Sequence, residues 1–68
     1  MQVGDIVRLK AFGGEEIVRQ VVFVAGDHIG VCKEEEYRAA IGENREPMTV
    51  GFRVSDVIEQ MGATTQPA

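Results

Sequence analysis

The chain has 68 residues, with seven basic and eleven acidic side chains and a formal charge of −4. That length holds one small core rather than two domains, and a single cysteine excludes an intrachain disulfide. The acidic balance argues against non-specific binding to nucleic acid, which needs a surplus of lysine and arginine facing phosphates.

The opening "MQVGDIVRLK" places Val3, Val7 and Leu9 on one parity and Arg8 and Lys10 on the other. This alternation predicts a half-buried strand after a Gly4-Asp5 turn. Phe12-Gly13-Gly14 then predicts a three-residue hairpin loop, with glycine supplying a left-handed conformation. In that register Lys10 lies opposite Glu16 and Leu9 opposite Ile17, pairing unlike charges and two aliphatics.

The second strand loses its alternation at Val21-Val22-Phe23-Val24. A run apolar on both parities predicts a strand that bends and changes the face it buries. Gly26-Asp27 predicts a tight turn into a third strand, "HIGVCK", with Ile29 and Val31 facing one way and Cys32 the other.

"KEEEYRAAIGENREP", Lys33 to Pro47, is polar but orderly at helical spacing. Tyr37, Ala40 and Ile41 form a narrow apolar stripe, Glu34 to Glu36 favour the start of a helix dipole, and Glu34 and Arg38 stand in the favourable i, i+4 order. No Ser, Thr, Asp or Asn precedes the glutamates as a cap, and Gly42 sits where a left-handed terminator belongs. A helix over 34–41 is predicted, with Tyr37 and Ile41 covering one end of the fold; a disordered acidic loop is the alternative.

"MTVGFRV" predicts a fourth strand, with Met48, Val50, Phe52 and Val54 on one parity and Pro47 at its start. "SDVIEQM" predicts a helical turn at Ser55-Asp56 leading to a short strand at Val57-Ile58. The domain is placed at residues 1–59, and residues 60–68 are predicted to be a disordered tail.

Five short strands, a bent second strand and a helical turn before the last one resemble the SH3-like small barrels. The "VGDIVRLK" opening is similar to the start of Tudor-type and KOW-type domains. "EEEYRAAIGENREPMTVGFRVSDVIE" resembles a group of small bacterial proteins of unassigned function. The fold these resemblances imply is mainly β: a five-stranded SH3-like small barrel with a short helix between strands 3 and 4. The plasmid-type dihydrofolate reductase barrel carries Val-Gln-Ile-Tyr where this chain has Val50-Gly51-Phe52-Arg53, so its chemistry does not carry over. A Tudor-type reading implies an aromatic cage, for which only Phe12, Phe23, Tyr37 and Phe52 are available, with Phe23 and Phe52 at core parity.

His28 and Cys32, four residues apart on a strand, stand roughly 13 Å apart, too far to grip one zinc ion or to act as a catalytic pair. Glu34-Glu35-Glu36 lacks the spacing of a calcium loop, and Gly13-Gly14 lacks the partners of a phosphate loop. No catalytic residue, metal or cofactor is expected. The candidate partner-binding residues are Phe12 and Tyr37, as a groove, and Arg8, Lys10, Arg19 and Arg53, as a basic strand face. The expectation is a non-catalytic interaction module for a protein or peptide partner; a nucleic-acid or ribosome-associated accessory protein is the alternative. Exposed edge strands make a homodimer possible. The lone thiol, the lack of a long apolar stretch and the lack of an apolar leader suggest a cytoplasmic protein with no membrane partner.

Overall fold

A computed structural model of the chain describes residues 1–63. It has five strands, β1 (Asp5–Lys10), β2 (Glu16–Ala25), β3 (His28–Cys32), β4 (Val50–Arg53) and β5 (Val57–Ala63), with one helix, α1 (Glu34–Gly42), between β3 and β4. All pairings are antiparallel, in a single sheet of order β4-β3-β2-β1-β5.

The first hairpin forms in the register that residue parity and loop length dictate. Leu9 faces Ile17 and Lys10 faces Glu16. Ala11 N donates to Glu15 O at 2.7 Å, and the Phe12–Gly14 turn between them uses positive φ at both Gly13 and Gly14. The bend in β2 is a bulge: Val21 pairs with Val31 and Phe23 with Gly30, leaving Val22 as the extra residue. An inserted residue swaps the faces that follow it, which is why the apolar run shows no alternation.

Cross-strand partners share a face, so Val7, Leu9, Val21, Ile29 and Val31 gather on one side of the sheet, and all five are buried. Met1, Ile17, Phe52 and Val57 pack against them half-buried. Only four Cα–Cα steps join Arg53 to Val57, a reach of about 14 Å at most, while a flat five-stranded sheet would hold its edges about 19 Å apart. The sheet must therefore coil around this core. It does not close: β4 and β5 remain edges with no ladder between them, so the expected barrel is corrected to an open, coiled sheet.

The 3-10 turn Val54–Asp56 leads into β5 as predicted, but β5 continues to Ala63. The domain thus runs past the boundary expected at residue 59, because residues 60 and 62–63 still pair with β1. The rest of the predicted tail lies outside the described residues.

Within the polar stretch, residues 34–42 form a helix and the remainder returns to β4 as a loop. Lys33 gives the helix no side-chain cap. Its C-terminus is closed by Arg45 N donating to Ala40 O at 2.9 Å, with Asn44 rather than Gly42 at positive φ. The helix packs on β2 and buries Ala40. Tyr37 is half-buried and Ile41 is 66% exposed, so Ile41 does not cover the fold. Among the described residues Glu34 and Arg38 form no ion pair. Arg45 instead grips Glu36 at 2.6 Å and Glu43 at 2.8 Å.

Candidate functional site

The mouth of the coiled sheet is a cleft running along β4, built of two grooves that share Phe52. The first, of about 810 Å³, lies between the β1–β2 hairpin tip (Lys10, Phe12) and the end of β4 (Phe52, Arg53), with His28 and Asp56 beside it. The second, of about 430 Å³, lies between the first half of β2 (Ile17, Arg19) and the start of β4 (Met48, Val50). Cys32 and Glu36 complete its wall.

Phe12 is 100% exposed at the hairpin tip, and Met48 and Val50 are 80% and 60% exposed. Large apolar side chains left uncovered together along a cleft mark a contact surface more than a solvated loop does. Sequence parity placed Met48, Val50 and Val54 on the same side as Phe52, a residue of core parity; of the four only Phe52 packs against the core. The sheet does not fold over its own fourth strand, and β4 spans only Val50–Arg53.

Charge is distributed unevenly. Four of the seven basic residues, Lys10, Arg19, Lys33 and Arg53, line the cleft, against two of the eleven acids, Glu36 and Asp56. None of the four cations belongs to an ion pair among the described residues. Glu36 is already committed, because its Oε2 accepts from Arg45 and from Met48 N at 2.9 Å. These bonds, the Arg45 side-chain bond foremost, hold its carboxyl down at about 2. They also pin the return loop to α1 and so fix where β4 begins. Asp56 accepts from Arg53 N at 3.1 Å, anchoring the other end.

The six residues singled out from sequence separate into groups. Phe12, Lys10 and Arg53 meet in the first groove, and Arg19 lines the second. Tyr37 lines neither, so the expected Phe12–Tyr37 groove is replaced by one between Phe12 and Phe52. Arg8 lies on the outer face, bound to Glu59 at 2.8 Å and beside Glu16 at 3.5 Å. Arg19 pairs with Val7 and Arg8 with Val18, so the two arginines point to opposite faces and no single basic stripe exists. Met48, Val50 and Lys33 were missed. Only their convergence in three dimensions identifies them.

His28 Nδ1 lies 2.8 Å from its neighbour Asp27. Cys32 is buried, and burial, reinforced by the nearby Glu36 carboxylate, pushes its thiol pKa up, the reverse of a reactive cysteine. Among the described residues no three His, Cys, Asp or Glu side chains converge as metal ligands. No described helix is long and apolar enough to cross a membrane. No family model, curated protein or solved structure matches this chain.

Proposed function

We propose that the protein is a non-catalytic interaction module that holds a protein or peptide partner in the cleft along β4. The observation that carries this reading is Phe12, wholly exposed at a glycine-built tip and facing half-buried Phe52 across a groove. An aromatic held out by the backbone makes a contact anchor at little conformational cost. Nucleic acid is the weaker reading, because Arg8 is spent on two glutamates and Arg19 faces away from it.

Selection of a displayed random-peptide library on the immobilised full chain tests the proposal. Enriched peptides should lose at least tenfold in affinity on Phe12→Ala and only modestly with added salt. Retention of affinity in both Phe12→Ala and Phe52→Ala would end this reading. Binding confined to oligonucleotides, with a steep loss in salt, would favour the nucleic-acid one.

A further inference from the structure

The two edge strands of the sheet differ. β5 carries two bulges, at Ile58 and Met61, where its register against β1 slips. Bulges twist an edge away from further pairing and are a common protection against strand addition. β4 pairs with β3 in unbroken register over all four residues, and its outer side carries no bulge. In an antiparallel ladder successive residues direct their N–H and C=O groups alternately toward each neighbour. Val54 N donates to Asp27 O on the β3 side while Arg53 N donates to Asp56, so the residue of Arg53's parity, Gly51, also directs its N–H and C=O outward. Among the described residues no strand pairs with that edge, and a Cβ added at Gly51 would meet open space on the face beside it.

Resting on the interaction-module reading, we infer that β4 accepts an extended acidic peptide as a sixth strand, bonded at Gly51. A residue added opposite Val50 or Phe52 shares their face, and those two side chains line the two grooves. Peptide residues p and p+2, about 6.8 Å apart, therefore each enter one groove. The exposed aliphatics Met48 and Val50 call for an apolar side chain in one, and Phe12 with Phe52 for one in the other. Lys10 and Arg53 stand at one end, Arg19 and Lys33 at the other. These unpaired cations, on a chain of formal charge −4, select carboxylates flanking the apolar pair. Backbone bonds supply affinity and alternate side chains supply specificity, as in other strand-addition complexes.

The probe is the acetylated, amidated heptapeptide Glu-Glu-Val-Thr-Val-Glu-Glu, titrated into the ¹⁵N-labelled full chain. The expected result is shift changes at Met48, Gly51, Phe52 and Phe12, with at least tenfold slower exchange of the Gly51 amide. An isomer with adjacent valines should bind at least tenfold more weakly. Gly51→Pro removes the edge donor and should abolish the protection and weaken binding tenfold, whereas Gly51→Ala keeps the donor and should bind normally. If Gly51→Pro does not fold, N-methylation of the peptide threonine makes the same test from the other side.

Shift changes in the cleft without Gly51 protection, equal for both isomers, would overturn strand addition while leaving the module reading standing. No shift for either peptide would overturn the acidic-peptide inference, and the library selection would then judge the module separately. Stronger shifts from a ten-residue oligothymidine, or a concentration-dependent dimer buried through β4, would overturn it in favour of those occupants.

Discussion

The ring of Phe23 lies directly over Gly30 of the neighbouring strand. A Cβ on Gly30 would overlap the ring and stand only 2.6 Å from Thr49 Cγ2. The bulge at Val22 turns Phe23 to the outer face, where it is 45% exposed rather than in the core its parity suggested. The glycine thus seats an aromatic that would otherwise stand free.

Gly30→Ala should therefore destabilise the fold by about 1–3 kcal/mol through overpacking. The loss should shrink in a Phe23→Ala background, where most of the obstruction is gone. Urea unfolding of the two single variants and the double variant measures the coupling. Equal losses in both backgrounds would remove the Phe23 contact as the cause.

Acid should act through Glu36. Its carboxyl titrates at about 2 in the folded chain, against an unperturbed glutamate value of about 4.3. The unfolded chain therefore takes up the proton first as pH falls. The stability this group contributes is complete above about pH 4.5 and is lost on descent toward pH 2. Glu36→Gln should be less stable than the parent at pH 6, with a gap that narrows between pH 4.5 and 2. Urea midpoints along that range supply the check, and a gap independent of pH would refute the assignment.

Two isoleucines should respond in opposite ways. Ile29 is fully buried, and Ile29→Val should cost about 0.5–1.5 kcal/mol. Ile41 projects from α1 into solvent, so Ile41→Ser should stay within about 0.5 kcal/mol of the parent. A large loss from Ile41→Ser would restore the helix stripe as a packing surface.

The Cys32 thiol should be slow to react. It is buried and its pKa is raised, so at pH 8 a disulfide reagent should modify the folded chain at least tenfold more slowly than the urea-unfolded chain. Equal rates would mean that the β3 end opens readily.

Much of the local structure could be read from the chain because it depends on short-range geometry. A side-chain period of two and a three-residue glycine loop leave one sensible pairing for Leu9 with Ile17. Three leading glutamates and an apolar stripe identify a helix at 34–41 even without a cap, and the structure carries it one residue further, to Gly42. The bulge at Val22 was foreshadowed by the failed alternation around it.

What only the tertiary structure decided is whether each apolar face is covered. Parity places Val50, Met48 and Phe52 together, but it cannot say that the sheet stays open beyond β4, since that depends on the coil accumulated over five strands. The partners of Arg8 on β5 and of Glu36 at Arg45 likewise lie across chain separations that no local pattern encodes. The same opening that defeated the barrel expectation leaves Met48 and Val50 exposed beside Arg19 and Lys33, with Lys10 and Arg53 in the adjoining groove. The residues were legible from the sequence; their convergence on one cleft follows from how far the sheet coils.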